Sequence, residues 1–383
     1  VKGLNIVSEI IDIKKEFEQL IPYEVEQKFI PLSPDMLSGF RAEAFPVEQY
    51  YLSHPSEDFS LRCRETLKDG VLQYEATLKT RGEITDDGLK RLEVTAPISP
   101  QMYQFYRGNI PLLRKLRAEP LPAIAIDFFE DGNIQVESEQ PNAWREFCQK
   151  HSLERQFADL TGDRFVDNEW RAHLEYRKGH EGHEALLPAR QLDSDEIVND
   201  VLHAYQPGVM RVIQISGRSG SGKSTIVSEV RRKLYEHGIE ADVISTDDYH
   251  RGQTWLENRN DGQPWINWDD PIVYDTETMA HDLEQLRKGC SVVRRTIDFT
   301  VVEPAYQGER EPVPVLLVEG IYAGNEVIAS HCDLRYNMPT PLATCVGRRL
   351  LRDLRERPQF ADPATSLRYM LEYSEPAYRK QEA

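Results

Sequence analysis

The chain has 383 residues, 40% of them hydrophobic and 29% charged, which suits a soluble globular protein and is too long for one small core, so two domains are expected. The formal net charge of −18 argues against a non-specific nucleic-acid or membrane-surface binder, so no nucleic-acid partner is expected. No run of about 18 apolar residues appears, so no membrane span is expected either.

The opening stretch VKGLNIVSEIIDIKKEFEQL lacks a signal-peptide layout, and Ile10, Ile11, Phe17 and Leu20 suggest an amphipathic helix. It starts at Val1, so residues preceding it are expected. The five cysteines, Cys63, Cys148, Cys290, Cys332 and Cys345, are odd in number and show no C-x-x-C spacing, which predicts a reducing, cytoplasmic setting.

Residues 21–140 read as short strands broken by turn signals such as KDG, RGEITDDG and EDGN. In YEVEQKF, the period of two puts Glu24, Glu26 and Lys28 on one face, with Val25 and Phe29 on the other. The stripe recurs with Arg62 and Arg64, Glu75 and Lys79, Arg91 and Glu93, Lys115 and Arg117, Asp127, and Glu137 and Glu139. One such strand is a solvated sheet face; seven point to a closed barrel with charges inside and helices on its apolar outside. Enclosed carboxylates and cations are costly unless they pair or meet a ligand, and a polyphosphate with a divalent cation satisfies both sets.

E-x-E-x-K followed by R-x-R, K-x-R and a late E-x-E resembles the CYTH domain, or triphosphate tunnel metalloenzymes, over roughly residues 20–175, with DLTGDRFVDNEWRA as the closing segment. The resemblance implies an eight-stranded antiparallel β tunnel. It implies that Glu24, Glu26, Glu137 and Glu139 hold Mg or Mn, and that Lys28, Arg62, Arg64, Lys79, Arg91, Lys115 and Arg117 cradle a triphosphate. In-line attack by water, helped by Glu24, Glu26 and Lys28, would hydrolyse a triphosphate or polyphosphate.

Residues 141–160 read as mainly helical, and the polar stretch 177–195 as a linker, with Ser194 capping a helix through DEIVNDVLHAY. HEGHE, His180 to Glu184, lacks metal-site spacing and reads as solvated linker. After Gly208, strands alternate with helices, which predicts an α/β domain with a parallel sheet. GRSGSGKST, between the strand RVIQIS and a helix, is a phosphate loop comprising Gly217, Ser219, Gly220, Ser221, Gly222, Lys223, Ser224 and Thr225. Its backbone amides would cradle ATP, Lys223 would reach the outer phosphates, and Ser224 would ligate magnesium.

Asp247 and Asp248 follow a second strand, Asp269 and Asp270 lie in a loop, and Glu319 ends the strand PVLLVEG. Each alone is more often a turn or helix cap. Together, from Arg211 onward, they resemble the uridine kinase and phosphoribulokinase family. That resemblance implies Asp247 as the base on an acceptor hydroxyl, Glu319 at magnesium, and GRRLLRDLRER as a lid bringing Arg348, Arg349 and Arg352 over the phosphates, with Arg355 in support. Where that family has Y-D-F-x-x-H, this chain has Ile297 and Val302 at the Tyr and His positions, which argues against uridine as acceptor. Trp255, Trp265 and Trp268 either stack a base or pack a loop onto the sheet. The chain stops in EPAYRKQEA, inside a predicted helix, where the resemblance implies a further strand.

The expected organisation is a tunnel domain at 1–176, a linker and connecting helix at 177–207, and a P-loop domain at 208–383. The expected protein hydrolyses a triphosphate in the tunnel and phosphorylates a small hydroxyl compound with ATP. Three alternatives stay open: a non-catalytic tunnel sensing polyphosphate or nucleotide, an adenylyl-cyclase-type tunnel, and a degenerate ATP-binding module serving the tunnel.

Overall fold

The computed structural model describes residues 23–108, 110, 112–179, 192–356 and 362–382. The predicted helix around Ile10 to Leu20 and the HEGHE stretch lie outside them. By internal packing the chain divides into two compact units, Val1–Pro188 with Leu342–Arg368, and Ala189–Pro341 with Tyr369–Ala383.

The first unit is built on strands β1 (Tyr23–Pro31), β2 (Phe45–Tyr51), β3 (Phe59–Lys68), β4 (Val71–Thr80), β5 (Glu83–Thr85), β6 (Gly88–Pro97), β7 (Leu112–Leu121), β8 (Ile124–Phe129), β9 (Ile134–Ser138) and β10 (Phe157–Asp159). Eight of them run β1-β9-β8-β7-β2-β3-β4-β6 and close on themselves, because β1 pairs β9 through Gln27–Phe29 and β6 through Tyr23–Glu26. Every pairing is antiparallel. The expected eight-stranded antiparallel barrel is therefore present, and its closure leaves none of those eight with an open edge.

Parity then sorts the side chains. Phe29, Ile126, Phe128 and Val136 face outward into a core with Leu37 and Phe147, under the 3-10 segment Pro34–Glu43 and the helix Pro141–His151. Phe29 stacks on Trp144 at 3.7 Å between ring centroids. The helical expectation for 141–160 holds only to His151: Ser152 turns left-handed at φ 55° and the chain re-enters the sheet as β10.

The second unit has a parallel sheet in the order β12-β15-β11-β16, from β11 (Arg211–Ser216), β12 (Ala241–Ser245), β15 (Val315–Gly320) and β16 (Leu334–Asn337). β13 (Val292–Asp298) and β14 (Glu303–Arg310) form a separate antiparallel hairpin. Both sheet faces are covered, so Val212, Ile213, Leu316 and Leu317 are all buried and the strands read as continuous apolar runs. The connecting helix is Ser194–Ala204, but its cap is Asp193, whose carboxylate accepts from Asp195 N at 2.9 Å. Ser194 instead accepts from Lys233 Nζ at 2.8 Å. Among the described residues no helix is long and apolar enough to cross a membrane.

Candidate functional site

Inside the barrel, register places cations opposite acids. Glu24 lies across from Arg91, Lys28 from Glu137, Arg64 from Glu75, Lys79 from Glu93 and Arg117 from Asp127. Directly opposed opposite charges stabilise the pairing that brings them together. They surround a cavity of about 240 Å³ whose wall includes Glu24, Glu26, Lys28, Arg62, Arg64, Lys79, Arg91, Arg117, Glu137 and Glu139. Arg81, Glu93, Asp167, Asn168 and Glu169 also line it. Of these, Glu93 shares the parity of Arg91 and was visible in the stripe; Arg81 and the side chains at 167–169 carried no periodic signal.

Lys79 Nζ lies 2.9 Å from Glu24 and 2.6 Å from Glu93. Arg91 reaches Glu24 at 3.3 Å and also bonds Glu26. Lys28 is 3.4 Å from both Glu26 and Glu137. Burial opposes its charge, yet Glu26, Glu137 and Asp167 outweigh burial and hold the Lys28 ammonium above its ordinary range. Glu137 accepts from Lys28, Arg117, Asn168 and Gln135, and these donors hold its carboxyl well below the carboxylate range despite burial, with the Lys28 and Arg117 charges contributing most.

The guanidiniums are less well supplied. Arg64 pairs with Glu75 at 3.2 Å, and burial together with the like charges of Arg62 and Arg117 pulls its pKa down to about 10. The Nε atoms of both Arg62 and Arg64 are buried with no hydrogen-bond partner among the described residues. Lys115 stands off this wall. Its ammonium, fully buried, lies 2.5 Å from Asp127, which Arg117 also grips through Nε and Nη2 at 2.7 Å. Burial, then the Arg117 charge, bring the Lys115 pKa down to about 7.

Among the described residues no group of three or more His, Cys, Asp or Glu side chains stands ready-made around a metal position. The donor chemistry nonetheless suits a hard cation. Burial and the charges of Glu24 and Glu93 push the Glu139 carboxyl upward, a crowding that Mg or Mn would relieve. Glu24 and Glu26 present oxygens to the same cavity, whereas Glu137 is already engaged by its four donors.

Near Glu169, Glu57 accepts from His54 N at 2.7 Å through Oε1, while its Oε2 is buried without a partner among the described residues. Burial, with the Glu169 charge in support, raises its pKa from 4.5 to about 7. Between those values the folded protein keeps a proton that the unfolded chain has released, so stability falls as pH rises through that window. Thermal unfolding from pH 5 to 8 should show this fall, and Glu57→Gln should flatten it.

In the second unit, β11 ends at Ser216 and the helix Lys223–Glu236 begins after the phosphate loop. Gly217 has φ 152°, and a Cβ there would lie 2.7 Å from Met338 Cβ, so the turn requires glycine. Lys223 Nζ donates to Arg218 O at 2.9 Å. Ser219, Gly220, Ser221, Gly222, Ser224 and Thr225 complete the loop and first helical turn, and the Ser224 and Thr225 side chains are exposed. Ser216 pairs with Gly320, and Glu319 lies between Ile215 and Ser245, which places the loop, Glu319 and the Asp247 segment at the carboxyl edge of the sheet. Burial raises the Glu319 pKa, opposed by Lys223 and reinforced by Asp247, so the three form one electrostatic neighbourhood.

Two of the acidic residues serve as caps. Asp248 accepts from Ser245 N in a capping box, and Asp270 caps Pro271–Val273 through Ile272 N at 3.0 Å. Asp269 is buried on Ser374. Trp265 and Trp268 pack beside Leu256, Val273 and Tyr322, while Trp255 lies under Arg251 and Arg259. Arg348, Arg349 and Arg352 sit on the helix Leu342–Glu356; Arg348 is exposed, Arg349 is buried with Nε 3.4 Å from Asp353, and Arg352 is 3.7 Å from Asp353.

Residues 212–378 match the model of the phosphoribulokinase/uridine kinase family. The uridine kinase of Staphylococcus haemolyticus (strain JCSC1435) is 32% identical over 150 residues, covering 38% of this chain and 70% of that protein. The chain belongs to the phosphoribulokinase/uridine kinase family. A second uridine kinase, from Staphylococcus aureus (strain JH9), is 30% identical over 153 residues, 39% of this chain and 72% of that protein. The family match covers the phosphate loop, Asp247, Glu319 and the arginine helix of this kinase, and leaves the barrel outside it. The solved structure of the inorganic triphosphatase NE1496 is 22% identical and covers 39% of this chain and 93% of its own, at a TM-score of 0.26. That likeness is too loose to identify the barrel, whose fold rests on its own strand order.

Proposed function

We propose that this family member carries two phosphate-transfer sites. In the barrel, a linear triphosphate or polyphosphate is hydrolysed with Mg or Mn. At the phosphate loop, ATP phosphorylates a small hydroxyl compound. The barrel reading is carried by Arg62 and Arg64, whose Nε donors are buried without a partner among the described residues, and by the like charges of Arg62 and Arg117 that, with burial, pull the Arg64 pKa down. A polyanion with several oxygens relieves both conditions.

In this reading Lys28, Arg62, Arg64, Lys79, Arg91 and Arg117 hold phosphate oxygens. Lys115 supports them indirectly, by sharing Asp127 with Arg117. A divalent ion held by Glu24, Glu26 and Glu139, with Glu137 behind them, would draw charge from the phosphates. In the kinase half, the backbone amides from Gly217 to Thr225 and Lys223 bind the ATP phosphates, and Ser224 and Glu319 suit magnesium. Asp247 takes the proton from the acceptor hydroxyl.

The Asp247 assignment predicts that Asp247→Asn lowers acceptor-dependent ADP formation about 10²–10⁴-fold with little change in ATP binding. A screen of small hydroxyl compounds, read as ADP released, tests it; undiminished turnover in the variant removes Asp247 as the base. Release of phosphate from inorganic triphosphate, surviving Lys223→Ala and lost in Glu24→Ala, tests the barrel half.

A further inference from the structure

The G-x-x-x-x-G-K-S spacing leaves the position after the first glycine of the phosphate loop free, and here it holds a cation, Arg218. Arg218 Nε and Nη2 donate to the two carboxylate oxygens of Glu375 at 2.8 and 3.0 Å. This bidentate geometry fixes the plane of the guanidinium. Glu375 opens the helix Glu375–Glu382 and is 3% exposed. The guanidinium also lies 4.6 Å from the centre of the Tyr378 ring, one turn along that helix.

The helix is anchored independently of the loop. Tyr378 OH donates to Asn337 Oδ1 at 3.2 Å, in the last residue of β16, and Gln381 Nε2 donates to Ile321 O at 2.6 Å, just past β15. β15 and β16 flank β11, the strand that leads into the loop. Within the loop Gly220 and Gly222 turn at φ 80° and 93°, and ordering glycine costs more backbone entropy than ordering any other residue. Arg218 ties this stretch to the sheet edge through Glu375. Its carbonyl also accepts from Lys223 Nζ at 2.9 Å, so the residue gripped from outside the loop holds the lysine inside it. Glu375 accepts from Arg379 Nε at 2.7 Å as well, so its buried carboxylate sits between two guanidiniums. Pulling Arg218 away to bind phosphate would break a buried ion pair.

We propose that Arg218 is a positioning residue of the nucleotide site: clamped by Glu375, it holds the phosphate loop in its binding shape before the nucleotide arrives. Arg218 acts through the loop backbone and Lys223, and its guanidinium stays on Glu375 when phosphate is bound. This rests on the reading of the loop as an ATP site, and it adds the C-terminal helix to that site as the part that pre-organises it.

The test is calorimetric titration of the full chain with ADP and magnesium, well below the melting temperature of each variant. Glu375→Gln removes a negative charge beside the loop. If charge alone acted there, or if Glu375 merely held Arg218 back from the phosphates, this variant would bind ADP more tightly. Positioning predicts the opposite sign, an affinity about 10-fold weaker. Arg218→Lys keeps the charge and loses the planar pair, so it should also bind about 10-fold more weakly, and it carries the test if Glu375→Gln fails to fold. In an Arg218→Ala background, Glu375→Gln should add no further loss. Arg379→Ala leaves the Arg218–Glu375 pair in place and should stay within about 2-fold of wild type. Unchanged or tighter binding in Glu375→Gln or Arg218→Lys overturns the assignment alone, as do additive losses in the double variant or an equal loss in Arg379→Ala. No ADP binding by wild type overturns it together with the ATP reading.

Discussion

Asp127→Ala is expected to destabilise the barrel by about 3–5 kcal/mol, read from equilibrium denaturation. Asp127 is fully buried and accepts from Lys115 Nζ at 2.5 Å and from Arg117 Nε and Nη2 at 2.7 Å. Its carboxyl is held below the ordinary range because the Arg117 and Lys115 charges outweigh the effect of burial. Removing it leaves two buried cations, of which Arg117 retains Glu137 while Lys115 loses its ion pair with Asp127. The uncompensated charge, more than the lost bonds, sets the size of the effect. Asp127→Asn should cost less, because one acceptor oxygen remains. A change under about 1 kcal/mol for the alanine variant would mean that water reaches Lys115.

Glu24→Ala is expected to behave in the opposite way, abolishing phosphate release while sparing the fold. Its partners keep other acids: Lys79 retains Glu93 at 2.6 Å and Arg91 retains Glu26. No buried cation is stranded, so melting temperature should move little. The expected loss of turnover is about 10²–10³-fold or more, since the site loses an oxygen donor that also crowds Glu139. Metal dependence supplies a second readout: the Mn concentration for half-maximal release should rise in Glu24→Ala. An unchanged Mn requirement would remove Glu24 from the metal set.

The contrast between these two carboxylates shows what the sequence carries. Strand parity alone put Glu24, Glu26 and Lys28 on one face of their strand and Arg62 and Arg64 on one face of theirs, because side-chain direction in a strand is fixed locally. The phosphate loop was equally legible, since its glycine and lysine spacing is a local requirement of the turn. Parity could not separate Lys115 from Arg117, two residues apart on one strand. Their different placement comes from Asp127 on the neighbouring strand and from the depth of each in the barrel. Closure through β1, which divides its pairing between β6 and β9, is a long-range event with no local signature. Asp248 and Asp270 look like ligand-edge acids in sequence, yet backbone amides claim both as caps. Asn168 was hidden for a related reason: a lone asparagine at a helix start signals nothing until Glu137 is found beside it.

The most direct test of the account is phosphate release from inorganic triphosphate, pyrophosphate and ATP with Mg or Mn, comparing wild type with Glu24→Ala and Lys223→Ala. Release from triphosphate that disappears in Glu24→Ala and persists in Lys223→Ala is the predicted result, and assigns hydrolysis to the barrel. Release lost in Lys223→Ala but retained in Glu24→Ala would place the chemistry at the phosphate loop and contradict it, and no release from any substrate would leave the barrel a binding site rather than a hydrolase.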